Sequence, residues 1–110
     1  MELNEYQKRA LVTAKYEDKY KVIYPALGLG SEAGEVLGKV KKWLRGDDGD
    51  SALSKERLEG LKAELGDVLW YVAVLAHDLG FDLEDVGKIN IEKLRARQEE
   101  GKIMGDGDKR

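Results

Sequence analysis

Between Leu61 and Leu79 the chain carries a helical stripe: Leu61, Leu65, Val68, Val72, Leu75 and Leu79 recur at spacings of three and four. Ala63, Leu69, Trp70, Ala73, Val74 and Ala76 make most of the remaining circumference apolar, the pattern of a central helix buried on nearly every side. Two acids interrupt it. Glu64 and Asp67 are three apart and project from one side of the helix, where unpaired carboxylates are costly to bury. A cation is expected to meet them, either a basic side chain or a metal ion.

The flanking segments also read as helices. Leu3, Tyr6, Ala10, Leu11 and Ala14 predict a first helix from about Asn4 to Lys21, with Asn4 as its N-cap. Pro25, the one proline, suits a helix start. A second helix runs from there to Leu44 on the stripe Leu29, Ala33, Val36, Leu37, Val40, Trp43 and Leu44. Gly46 to Ser51, GDDGDS, lacks the ligand spacing and closing glutamate of a calcium loop and reads as solvated loop. Ser54 caps the third helix and Gly80 ends it as a C′ glycine. Asp82 then caps a fourth helix that has Glu84 and Asp85 in its first turn and runs to about Glu100. There is no strand pattern, repeat or linker. The expectation is an all-α, four-helix bundle-like single domain over residues 1–110, with 98–110 a flexible or ligand-covering tail.

Composition narrows the classes. A chain of 110 residues can bury a modest core. A net charge of −3 with 37% charged residues argues against nucleic acid as a bulk polyanion partner. With no cysteine, disulfides, zinc-thiolate sites and cysteine nucleophiles are excluded. The longest apolar run, Val68 to Ala76, is too short to span a bilayer, and MELNEYQKRA has no apolar signal core. A cytoplasmic protein with no membrane partner is expected.

Candidate chemistry sits on the second, third and fourth helices. Glu32, Glu35, Lys39 and Lys42 fall within roughly an 80° sector of the second helix. The plain reading is a solvated face with a weak Glu35–Lys39 pair. Gly28, Gly30, Gly34 and Gly38 are harder to place there, since each costs about 1 kcal/mol against alanine in a helix interior. They predict close approach by another helix or a ligand. If the second and third helices pack antiparallel, Glu32 and Glu35 face Glu64 and Asp67. Four converging carboxylates need cations, and oxygen ligands without histidine or thiolate select Mg²⁺, Mn²⁺ or Ca²⁺. A di-iron bundle needs Glu-x-x-His, and the one histidine, His77, follows Val74 at that spacing. Asn90, Lys93 and Arg97 share a sector of the fourth helix with its core positions, either snorkelling or reaching for an anion.

SEAGEV at 31–36, ELGD at 64–67 and Asn90-x-x-Lys93-x-x-x-Arg97 together resemble the MazG-like nucleoside triphosphate pyrophosphohydrolases, whose paired motif is EExxE then ExxD. The resemblance covers about residues 24 to 97. Ser31 stands where the motif has its first glutamate, leaving four acids rather than five. The resemblance implies an all-α MazG-type fold assembled as a homodimer or homotetramer. It implies Mg²⁺-dependent hydrolysis of a (deoxy)nucleoside triphosphate to the monophosphate and pyrophosphate, with Mn²⁺ as a possible substitute. By carry-over Glu32, Glu35, Glu64 and Asp67 bind the metal, Lys93 and Arg97 hold phosphates, and Asn90 supports the pocket. Glu35 is the candidate base. Lys39 and Lys42 join the substrate-binding set from their shared face with Glu35. The alternative, which Ser31 favours, is a non-catalytic helical module that binds a nucleotide or a partner.

Overall fold

The computed structural model describes residues 1–49 and 52–101. Four helices appear among them: α1 (Leu3–Leu11), α2 (Ile23–Leu44), α3 (Lys55–Asp78) and α4 (Leu83–Glu99), with one 3₁₀ turn at Asp18–Tyr20. The chain is all-α among the described residues. Most of the expected tail, 102–110, lies outside them. No described helix is long and apolar enough to cross a membrane.

Helices α2 and α3 pack antiparallel. Moving up α2, Gly28 lies against Tyr71, Glu32 reaches Glu64 and Asp67, and Lys39 reaches Gly60. The ends of α3 follow the sequence signals. Ser54 accepts a hydrogen bond from Arg57 N at 3.0 Å. At the other end Gly80, at φ +86°, lets Phe81 N bond Ala76 O at 2.8 Å and Gly80 N bond His77 O at 2.9 Å, the double closure that glycine permits after a helix. The α2–α3 connection is less solvated than its composition suggests. Arg57 grips Asp48 through two bonds of 2.7 and 2.8 Å, both side chains being largely buried.

Helix α1 stops at Leu11, short of the expected Lys21. Thr13 turns its hydroxyl back onto Ala10 O at 2.9 Å, a local bond that competes with helix continuation. The chain then crosses to the end of α3. There the Asp78 carboxylate accepts from Tyr16 OH at 2.5 Å and from Val22 N at 2.9 Å. Burial, then the bond to Asp78, raises the Tyr16 hydroxyl's pKa well above its ordinary value. Val22 has φ 69° and ψ −52°, and Ile23 N bonds Lys21 O at 2.7 Å. This is the rare positive-φ γ-turn, a strained conformation for a β-branched residue. Asp78 holds it closed. Asp78→Ala is expected to destabilise the protein by about 2–4 kcal/mol, since hydrogen bonds to a charged group contribute roughly 1.5–3 kcal/mol each and the freed donors regain some water. Tyr16→Phe should cost about half as much. An unchanged urea midpoint in Asp78→Ala would refute this role.

Asn4 is not the cap of its own helix. It lies inside α1, and its Oδ1 accepts from Glu84 N at 2.9 Å. Gln7, buried, donates to Ala73 O and Phe81 O and accepts from Leu83 N. Two first-turn amides of α4 are thus satisfied from α1, while Asp82 occupies the N-cap position without a side-chain bond. Around these contacts lies the small core of Ala10, Ala73, Val74 and Leu83, flanked by Tyr6, Leu11, Ala14, Tyr16, Trp70 and Val72.

The outer side is different. Leu27, Leu37 and Leu44 on α2 remain 71%, 70% and 80% exposed, and Leu58, Leu65 and Leu69 on α3 are also exposed. The radius of gyration is 16.9 Å, against roughly 13 Å for a closely packed chain of this length. The four glycines of α2 separate accordingly. A side chain at Gly28 would strike the Tyr71 ring, whereas Gly30, Gly34 and Gly38 face open space.

Candidate functional site

The antiparallel register brings Glu32 of α2 and Glu64 and Asp67 of α3 into one cluster. One carboxylate oxygen from each lies within 4.8 Å of the others. The i,i+3 spacing on α3 aims both of its acids at the same spot, and Glu32 meets them from across the helix pair. Glu32 and Glu64 are half-buried; Asp67 is exposed. The apolar residues beside Asp67 in sequence therefore do not enclose it, because neighbours along a helix point in other directions. Glu35 stands about one turn along α2, exposed and outside the group of three.

Electrostatic crowding is visible in Glu32. Its pKa is raised from the ordinary 4.5, first by burial and then by Asp67, Glu64 and Glu35. The folded chain therefore holds this proton more tightly than the unfolded chain does. The resulting stability is fully present below about 4.5 and is lost as pH rises through the raised folded value. The metal-free protein is expected to gain stability from Glu32 as pH falls from neutral toward 4.5. Glu32→Gln should remove that gain and raise the neutral-pH melting temperature. Melting curves of both proteins at fixed ionic strength decide the matter; a trend that survives the substitution would count against it.

Glu64 carries a second sign of an incomplete site. Its Oε2 is buried without a hydrogen-bond partner among the described residues, although such atoms are normally satisfied. Its Oε1 lies 3.8 Å from Lys39 Nζ. Three hard oxygen donors and an unsatisfied buried carboxylate oxygen fit a hard divalent cation such as Mg²⁺ or Mn²⁺. His77 is exposed.

Glu32 and Asp67 line a cavity of about 290 Å³ with Trp70 and Tyr71. Trp70 also lines a neighbouring cavity of about 350 Å³ with Thr13, Lys15, Tyr16 and Tyr24. Its indole Nε1 donates to Thr13 Oγ1 at 2.9 Å, and its ring meets Tyr71 edge-on at 4.9 Å. Tyr24 stands 6.4 Å from Tyr71 and stacks on Tyr16 at 5.0 Å. This aromatic run has no periodic signature along the chain. Gly28, the position that makes room for Tyr71, is its one trace in the sequence.

The basic candidates divide. Lys39 is on the cluster, while Lys42 is exposed. Asn90 and Lys93 line a separate cavity of about 370 Å³ with Phe81, Asp85, Val86 and Ile89. Arg97 is buried, at 6% exposure. The cavity that holds Asn90 and Lys93 and the one that holds Glu32 and Asp67 share no lining residue.

Comparison with known proteins places the chain. The family model for the MazG nucleotide pyrophosphohydrolase domain matches residues 25–101, from the first turn of α2 to just past α4. The chain belongs to that family. It is 48% identical over 87 residues to the Gene 37 protein of Mycobacterium phage L5, covering 79% of this chain and 75% of the phage protein. It is 39% identical over 75 residues to the uncharacterized protein YvdC of Bacillus subtilis (strain 168), covering 64% of this chain and 70% of that one. No solved structure matches it significantly.

Proposed function

We propose that the chain hydrolyses a nucleoside triphosphate to the monophosphate and pyrophosphate at the cluster between α2 and α3, with Mg²⁺ as cofactor and Mn²⁺ as the nearest substitute. The observation that carries this reading is the convergence of Glu32, Glu64 and Asp67 oxygens within 4.8 Å, in a chain of the pyrophosphohydrolase family. A bound divalent ion supplies neutralisation of polyphosphate charge and a more acidic water. Glu32, Glu64 and Asp67 would hold it. Glu35, exposed beside them and outside the group of three, is placed to accept a proton from the attacking water. Lys39 and Lys42 extend positive charge along the same face of α2. The Trp70 edge joins the acidic cavity to the aromatic one, so a base stacked there leaves its phosphates at the acids; such stacking contributes about 1–3 kcal/mol.

Asn90, Lys93 and Arg97 are proposed to support and bind phosphates. In one chain Asn90 and Lys93 line their own cavity, so this role depends on how copies assemble. We propose a homodimer or homotetramer closed over the exposed leucines of α2 and α3, since apolar area of this kind is normally covered. Sedimentation at micromolar concentration should show at least a dimer; a monomer would remove the proposal.

The activity is tested by incubation with a panel of ribo- and deoxynucleoside triphosphates and Mg²⁺, reading monophosphate and pyrophosphate together. Cleavage to diphosphate and phosphate, or no cleavage of any member, would overturn it. Ser31 favours the second reading, a module that binds nucleotide without turnover. Calorimetric binding with no product would mark that case.

A further inference from the structure

Lys39 crosses from α2 to α3 over Gly60. A methyl group built at Gly60 would come 3.2 Å from Lys39 Cε and 3.5 Å from Cδ, so the bare backbone at 60 gives the lysine stem its path. The ammonium ends 3.8 Å from Glu64 Oε1, with 27% of the lysine and 16% of the glutamate side chain exposed. That separation is beyond hydrogen-bond length. Lys39 therefore serves the cluster as a nearby charge, and Glu64 Oε2 stays unsatisfied beside it. On its other side the lysine lines a polar cavity of about 190 Å³ with Asp48, Ser54, Glu56, Arg57 and Gly60. Asp48 there is already gripped by Arg57, while Glu56 is exposed.

We infer that Lys39 is the resident counter-ion of the Glu32–Glu64–Asp67 cluster in the metal-free protein, and that a divalent cation displaces it toward the Glu56 cavity. The inference rests on the reading of that cluster as the cation site. Three carboxylates so close repel one another, and a single positive charge relieves part of that repulsion without filling the cluster. A loose contact is also readily given up. Lys39 thus protects the fold when no metal is present and sets the metal concentration at which the site fills. It is a positioning residue by this account, acting through Glu64.

The test is calorimetric titration of Mg²⁺ into wild type, Lys39→Met and Lys39→Arg without nucleotide, paired with melting curves. Methionine keeps much of the stem and removes the charge; arginine keeps the charge. Lys39→Met is expected to bind Mg²⁺ about tenfold more tightly, a change of ~1.4 kcal/mol. It should also melt lower than wild type without metal and recover most of the difference at saturating Mg²⁺. Lys39→Arg should stay near wild type. On the unmutated protein, the Lys39 side-chain NMR signal should shift with Mg²⁺ at the same apparent constant as the heat. Equal or weaker Mg²⁺ binding by Lys39→Met, or a Lys39 signal indifferent to Mg²⁺, overturns the inference while the cation site stands. No Mg²⁺ uptake by wild type and by Lys39→Met overturns both.

Discussion

Asp67→Asn is expected to abolish turnover while the metal-free protein stays folded. Asp67 contributes one of three oxygens that lie within 4.8 Å of one another. It is exposed, so its substitution opens no hole in the core. Its charge also presses on Glu32, whose raised pKa owes its largest charge contribution to Asp67. Replacing it with a neutral amide relieves that repulsion, and the metal-free variant should melt at or slightly above wild type at neutral pH. Residues that merely orient metal ligands are worth roughly 10–100-fold in affinity or activity; loss of a ligand should exceed a hundredfold. Mg²⁺ should raise the wild-type melting temperature by binding the folded state, and do so much less in the variant. A variant that unfolds, beside a wild type indifferent to Mg²⁺, would make Asp67 a structural residue.

Gly28→Ala is the second large effect, and it acts on packing. The added methyl would fall inside the Tyr71 ring, against Cε1, Cζ and Cδ1. The ring has little room to retreat, with Trp70 edge-on at 4.9 Å and Tyr24 at 6.4 Å. Overpacking typically costs about 1–3 kcal/mol, and a ring wedged between two helices belongs at the upper end. Because Tyr71 lines the cavity that holds Glu32 and Asp67, activity should fall by more than the unfolded fraction explains. Tyr71→Leu in the Gly28→Ala background should recover stability, giving a clear coupling energy in a double-mutant cycle. Gly34→Ala, which faces open space, is the control. If the two alanine variants melt alike, the close approach at Gly28 is not what selects glycine there.

Those two positions show where sequence stops being sufficient. Gly28 and Gly34 look equivalent along α2, and only the partner helix distinguishes them. The four helices, the Ser54 cap and the Gly80 stop were legible because each depends on residues a few positions apart. Three of the four expected acids were legible for a related reason: i,i+3 spacing on α3, together with an antiparallel partner, brings Glu32 to Glu64 and Asp67, while Glu35 stays outside that group. The length of α1 was not, because Thr13 turns its hydroxyl back onto Ala10 O and the chain beyond crosses to α3, where Tyr16 bonds Asp78, 62 residues away. Nor was the role of Asn4, whose bond goes to Glu84, 80 residues away. Lys39 and Lys42 share a sector of α2, yet Lys39 alone lies over Gly60, and that difference belongs to α3 rather than to α2.

The bonds from Asn4 and Gln7 to the start of α4 bear on what the family model covers and what is stable. The family match begins at residue 25, so the family model leaves out α1 and the crossing segment. The structure nevertheless closes α4 with Asn4 and Gln7, and ties the end of α3 with Tyr16. A fragment cut at the start of the match would keep the acidic cluster yet leave the Leu83 and Glu84 amides open and uncover Ala73. The segment that the family model covers is therefore smaller than the unit expected to melt cooperatively. In native-state hydrogen exchange, the opening of α4's first turn should be coupled to the undocking of α1.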